Sequence, residues 1–216
     1  MSAYKDENTK KIVKSFCGQV HYLRIVRHMY RELFETEKSY FLMEKTAPSF
    51  FAHLNKILHN YLLLEFAKIS DPAKSSGNEN FTVDNLLLSI DWPQNMKERL
   101  ESQNNIIKEF RNYIQGARHK LLAHSDKETF LGQKQLGDFP EGKDEIFLKA
   151  LEEICNITHE ACFGNIYGSM VVSQDGDVIS FKKILLNGLA FNKLLEKSDK
   201  KQKVTMYSVL DEVRKS

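Results

Sequence analysis

A chain of 216 residues with 42% hydrophobic and 28% charged residues is long enough to bury a core and too apolar to stay disordered. Its 10 glycines and 4 prolines leave few breaks, which favours long helices over many short strands. A net charge of +2 argues neither for nor against nucleic acid, and no apolar run approaches the ~20 residues that a membrane helix needs.

Met1 to Lys14 is charged and lacks the apolar core of a signal peptide. Lys5 to about Lys45 reads as one long helix, because Val13, Phe16, Val20, Leu23, Val26, Tyr30, Leu33 and Phe34 recur at three- and four-residue steps. His21, Arg24, His28 and Arg31 form a polar stripe on it, for which a solvated face is a simpler reading than the border of a site. Thr46-Ala47-Pro48 opens a second helix, with Thr as its cap and Pro in its first turn. Phe50, Phe51, Leu54, Ile57, Leu58, Tyr61, Leu62, Leu64 and Phe66 make this the most apolar segment, hence the central core helix. His53 and His59 on it read as hydrogen-bonded structural residues. The helix stops near Ser70-Asp71-Pro72, since the residue before proline is pushed out of helical geometry. Ala73 to Asn80 is a polar loop without the Lys-Ser/Thr pair of a phosphate-binding loop.

Thr82 caps a short helix through Ile90. Asp91-Trp92-Pro93 starts the next long helix, whose apolar stripe is Leu100, Ile106, Ile107, Phe110, Ile114, Ala117 and Leu121. Phe130 to Gly142 is a loop. Lys143 to about Tyr167 is helical, with Ile146, Leu148, Leu151, Ile154, Ile157, Ala161 and Cys162 inward. Met170-Val171-Val172 and Val178-Ile179, around Gln174-Asp175-Gly176-Asp177, spell a short β-hairpin that must pack on the helices. Phe181 to about Lys197 and Val204 to Val213 are helical, joined by a charged linker from Glu196 to Lys203.

Charge is unevenly placed along this path. From Asp138 to Glu160 seven acids accompany Lys143 and Lys149, whereas from Lys182 to Ser216 nine bases accompany four acids. That asymmetry suits an acidic helix that packs on a basic tail or faces away from it, with solvated faces as the simplest reading. Cys17, Cys155 and Cys162 are odd in number and lack metal-type spacing. They read as buried free thiols in a reducing cytosol.

The densest chemistry lies in Arg118-His119-Lys120-Leu121-Leu122-Ala123-His124-Ser125-Asp126, at the end of the helix that begins after Pro93. If that helix continues, His124 follows Leu121 by three residues and points along the apolar stripe. Arg118, six residues earlier, then sits about 120° away and about 9 Å along the axis. The pair is not tight by default, and a second copy from a symmetric partner completes it. Arginine offers a fixed fork suited to phosphate, and histidine moves protons near neutral pH. RNA supplies its own nucleophile, the 2′-hydroxyl. His119 can provide a second proton-transfer group, Asp126 can orient a ring or accept the arginine, and Lys120 and Lys127 can hold flanking phosphates. The competing reading is structural: His124 hydrogen-bonds a helix-end carbonyl and complements the helix dipole. The seven histidines form no close ligand pair with a carboxylate, and no nucleophile elbow is present. Neither a metal nor a cofactor is therefore expected.

Arg118-x5-His124 resembles the R-xn-H motif of the HEPN superfamily. With Met29-Tyr30-Arg31-Glu32-Leu33-Phe34, Phe50-Phe51, Ile69-Ser70-Asp71-Pro72-Ala73-Lys74, Asn80-Phe81-Thr82 and Leu121-Leu122-Ala123-His124-Ser125-Asp126, in that order, the chain is similar to its abortive-infection AbiU-type branch. The resemblance spans roughly Tyr22 to Phe163. It implies a mainly α fold, an up-and-down helical bundle that takes residues 1–168; residues 169–216, which the resemblance does not cover, read from their own pattern as a short hairpin and extra C-terminal helices packed on that bundle. It implies a homodimer through the motif helices, with Arg118 and His124 lining the shared cleft, and a metal-independent ribonuclease of a toxin or antiphage defence system. The candidate partners are RNA and an antitoxin protein; the lack of a long apolar run and the free cysteines point to no membrane and a cytoplasmic location. Two alternatives stay open: a non-catalytic module that binds RNA or a nucleotide, and a helical protein-interaction module with Arg118 and His124 satisfied internally.

Overall fold

The computed structural model describes residues 3–75, 77–118, 142–168 and 176–215. A 3-10 turn (Ala3–Lys5) precedes α1 (Glu7–Phe34), α2 (Glu37–Thr46) and α3 (Pro48–Ser70). Then come β1 (Lys74–Ser75), β2 (Asn78–Glu79), α4 (Val83–Leu88), α5 (Gln94–Arg118), α6 (Lys143–Phe163), α7 (Val178–Lys197) and α8 (Lys200–Lys215). The fold is mainly α. No described helix is long and apolar enough to cross a membrane. The chain divides into two compact units, Met1–His28 with Lys56–Val171 and Met29–Asn55 with Val172–Ser216. The division passes through α1 and α3.

In the first unit α6 is the hub. Phe147, Leu148, Ala150, Leu151, Ile154, Cys155, Ile157, Thr158 and Cys162 form its buried face, at the spacing of one helix side. Phe147 therefore takes the inward place that spacing assigns to Ile146, and Ile146 is exposed. The pattern allows either phase, and the larger ring wins the core. Gly164, at φ +80°, caps the helix C-terminus in the left-handed region and ends it before Tyr167. In the same unit α1 buries Val13, Phe16, Cys17, Val20, Leu23 and Val26. The Cys17 thiol donates to the Cys155 carbonyl at 3.9 Å, and the Cys162 thiol donates to the Tyr4 carbonyl at 3.3 Å. All three cysteines are buried and free.

The polar stripe of α1 is not a plain solvated face. Arg24 pairs with Glu152 at 2.6 Å, and Arg27 pairs with Asp144 at 2.6 Å. Asp144 is almost fully buried, so its charge is tolerated because the guanidinium and the start of α6 offset it. Acids of α6 are thus consumed by α1, and Glu153 meets Arg99 of α5 at 3.2 Å.

Burial along α3 is uneven. Leu62, Leu63, Phe66, Ala67 and Ile69 are buried, while Ile57 is exposed. The core role of this helix in the first unit rests on its C-terminal half. Its end, Ser70, lies where Asp71-Pro72 places it, with the Ser70 hydroxyl donating back to the Phe66 carbonyl at 2.7 Å. The following loop holds the only sheet among the described residues, two antiparallel strands in register Lys74↔Glu79 and Ser75↔Asn78. Asn80 locks it, its amide nitrogen donating to the Pro72 carbonyl at 2.9 Å. Thr82 then caps α4 by accepting from the Asn85 amide.

In the second unit the long helix expected to reach Lys45 breaks after Phe34. Thr36 adopts extended geometry, and its hydroxyl oxygen accepts from the Ser39 amide, which starts α2 afresh. The buried Ser39 hydroxyl donates to the Glu32 carbonyl at 2.6 Å and so satisfies an orphan group at the end of α1. Thr46 does not cap α3. Its hydroxyl donates back to the Leu42 carbonyl at 2.8 Å within α2, while Pro48 opens α3 as expected. Phe50, next to it, is exposed.

The expected second strand of the hairpin, Val178-Ile179, is the first turn of α7. Gly176 (φ +86°) redirects the chain, and one Asp177 carboxylate oxygen accepts from the Ile179 and Ser180 amides. Asp177, which reads from sequence as part of a turn, serves here as a helix cap. The first strand, Met170 to Val172, lies outside the described residues. The linker to α8 also shrinks. Asp199 and Gln202 exchange backbone-to-side-chain hydrogen bonds of 2.8 and 3.0 Å, a capping box that starts α8 at Lys200.

Candidate functional site

The first unit clamps α5, the helix that leads into Arg118. Leu100, Ile107, Phe110 and Ile114 are buried. Ile106 of the expected stripe is half-buried. Phe110 stacks on Phe147 of α6 with centroids 4.4 Å apart, and both meet Phe66 of α3 edge-on, at 5.7 and 5.2 Å. Three helices thus share one aromatic cluster. Near the start of α5, Trp92 is buried and its indole N–H donates to the Leu86 carbonyl at 3.2 Å. Asn104 donates to Asp84 of α4 at 2.8 Å.

Charged groups fix the C-terminal half of α5. A guanidinium nitrogen of Arg111 lies 4.0 Å from the buried Asp71 carboxylate that follows α3. Glu109 receives Lys143 at 3.0 Å and the Tyr113 hydroxyl at 3.1 Å, and the Lys143 ammonium lies 5.7 Å from the Tyr113 ring centroid. The Lys143 hydrogen bond, then that of Tyr113, holds the Glu109 carboxyl below its ordinary range. The same bond raises the Lys143 ammonium. This cluster ties the start of α6 to the helix face two turns before Arg118.

Arg118 is the last residue of α5. His119, Lys120, His124, Asp126 and Lys127 lie outside the described residues, and so do the helix continuation to His124 and the Arg118–His124 geometry that depends on it. Three other histidines, His53, His159 and His21, have structural contacts. A ring nitrogen of His53 meets the Ser49 carbonyl at 2.7 Å, and one of His159 meets the Asn165 carbonyl at 2.8 Å. His21 turns its ring edge to Tyr167 at 6.4 Å. Its Nδ1, like Nε of Arg24, is buried without a hydrogen-bond partner. Among the described residues no three His, Cys, Asp or Glu side chains group as a metal site.

Sequence reasoning missed the braces around α5. Glu109 and Tyr113 are four apart and so adjacent on a helix, which is a legible signal. Their partner Lys143 is 34 residues away, and Asp71 is farther still, so neither pairing can be read from spacing.

No curated protein and no solved structure matches the chain. The family model described as AbiU2 (HEPN_AbiU2) matches residues 6–170, a span that holds α1 to α6 and the whole of Arg118 to Asp126. The chain therefore belongs to the AbiU2 family of HEPN proteins.

Proposed function

We propose that this HEPN protein is a metal-independent ribonuclease of a toxin or antiphage defence system, with Arg118 and His124 as its reacting pair. The observation that carries the reading is the family match over residues 6–170, with Arg118-x5-His124 inside it, directly at the end of the clamped helix α5. In the reaction His124 takes the 2′-hydroxyl proton while the 2′-oxygen attacks the adjacent phosphorus. Arg118 meets the charge that develops on the phosphorane oxygens. The bond from phosphorus to the 5′-oxygen then breaks, and His119 returns a proton to the leaving oxygen. The products are a 2′,3′-cyclic phosphate and a 5′-hydroxyl. Lys120 and Lys127 hold neighbouring phosphates, and Asp126 orients a ring or accepts the arginine. A homodimer through the motif helices places two copies of the pair in one cleft.

The test is RNA incubated with the chain in EDTA. Wild type is expected to cut, His124→Ala to abolish cutting, and Arg118→Ala to lower it by about 10²–10³-fold, the usual effect of removing one transition-state donor. Salt-dependent RNA binding without product in the wild type replaces this reading with a binding module.

A further inference from the structure

Nothing in the proposed chemistry uses the second unit, yet that unit exposes large apolar side chains such as Phe41, Ile184, Leu186 and Leu194. A cavity of about 720 Å³ lies between α2 and α7, with Phe41, Leu42, Ile179, Leu186 and Leu189 as its apolar lining. Phe41 and Leu186 are each 59% exposed, so the groove is open along its length rather than closed over a ligand. On α7 the lining residues Ile179, Lys182, Leu186 and Leu189 are three, four and three residues apart. That is the spacing of a helix seam, and it runs about 15 Å, or roughly three turns. A helix so apolar is expected to be buried, yet Val178 is the one residue of α7 that is.

The rim is cationic. Lys38, Lys182 and Lys183 line it against a single acid, Glu37. Lys182 is matched by Glu32 at 3.1 Å, which leaves Lys38 and Lys183 facing solvent without an acidic partner among the described residues. From Lys182 onward the chain has nine bases to four acids, so α7 or α8 of a second copy would bring like charge to the groove. A bilayer calls for a convex or flat apolar face, whereas this lining is sunk between two helices.

We infer that the α2–α7 groove is a docking site for an acidic amphipathic helix of another protein. Leucine-like anchors at heptad spacing fill the lining, and glutamates or aspartates at the flanks meet Lys38 and Lys183.

The probe is a fluorescent peptide of roughly 18 residues with leucine at the a and d positions and glutamate elsewhere, and a control has lysine in place of each glutamate. Anisotropy with the full chain is expected to show saturable binding of the acidic peptide and none of the lysine control. Leu186→Asp, or Lys38→Glu combined with Lys183→Glu, is expected to weaken binding at least about tenfold, a loss of about 1.4 kcal/mol. All three residues are solvent-exposed, so the variants keep the fold, which far-UV circular dichroism checks. Several results overturn the inference: no binding of the acidic peptide, equal binding of both peptides, or affinity unchanged by Leu186→Asp. It also fails if phosphatidylserine vesicles are captured in place of the peptide, or if the chain self-associates by light scattering in a way that Leu186→Asp reverses.

Discussion

Phe147→Ala removes a fully buried ring that stacks on Phe110 at 4.4 Å and abuts Phe66 at 5.2 Å. The loss combines the transfer free energy of the ring with an unfilled cavity, about 3–5 kcal/mol for such a truncation. Two aromatic pairings vanish at once, which puts the expectation at the upper end, about 4–5 kcal/mol. Phe147→Leu keeps most of the volume and is expected to cost about 1–2 kcal/mol. The chain has one tryptophan, Trp92, buried in the first unit, so its fluorescence during urea unfolding follows that unit alone. Ile57→Ala, at a side chain 62% exposed in the same unit, serves as the control and is expected to stay within about 0.5 kcal/mol. A Phe147→Ala loss below about 1 kcal/mol, or a control loss as large, refutes the claim that this cluster clamps α5.

Other expectations follow from the same packing. Arg27→Ala removes the cation paired with the buried Asp144 carboxylate, leaving only the start of α6 to offset it, and is expected to cost about 3 kcal/mol by urea unfolding; a neutral result shows that the pair is dispensable. Burial pushes the Cys162 thiol from an ordinary 9.0 up to about 11 and raises Cys155 as well, so native protein at pH 8 should react slowly with iodoacetamide and unfolded protein should label at all three cysteines. The folded chain holds these protons more tightly, so stability is full below pH 9 and falls as pH rises toward about 11; a rise over that window contradicts the assignment. In Lys143→Gln, carboxyl NMR of Glu109 should show its titration moving up toward the ordinary range, because the hydrogen bond that lowers it is gone. The depressed Glu109 contributes stability that is lost as pH falls through its titration, and the raised Lys143 contributes stability that is lost as pH rises through its own.

Features controlled by local rules were the most legible. Pro48, Ser70-Asp71-Pro72 and Thr82 each mark a boundary through backbone geometry or a cap, and each marks it in the structure. The α5 stripe is legible at Leu100, Ile107, Phe110 and Ile114, where period and length agree, while its expected end at Ala117 and Leu121 lies outside the described side chains. Reading failed where two local rules compete. Apolar residues continue past Phe34, so periodicity hides the Thr36 cap that breaks the helix. Asp175-Gly176-Asp177 fits a turn and an N-cap alike, and only the packed Val178 decides. On α6 a one-residue phase ambiguity separates Ile146 from Phe147, and the aromatic cluster resolves it. The pairs that brace α1, Arg24 with Glu152 and Arg27 with Asp144, join residues 128 and 117 positions apart, and Glu109 of α5 meets Lys143 across 34, so no spacing rule reaches them. The family is legible through Arg118-x5-His124 and the ordered strings around it, and the match over residues 6–170 bears the family out.

The central claim is that Arg118 and His124 make and break bonds in RNA rather than only hold it. Its most direct measurement is the chemistry of the new ends when a 5′-labelled RNA is incubated with the full chain in EDTA. The account expects a 2′,3′-cyclic phosphate on the upstream fragment and a 5′-hydroxyl on the downstream one, both absent with His124→Ala. Intact RNA with the wild-type chain, a 5′-phosphate product, or cleavage undiminished in His124→Ala would contradict it.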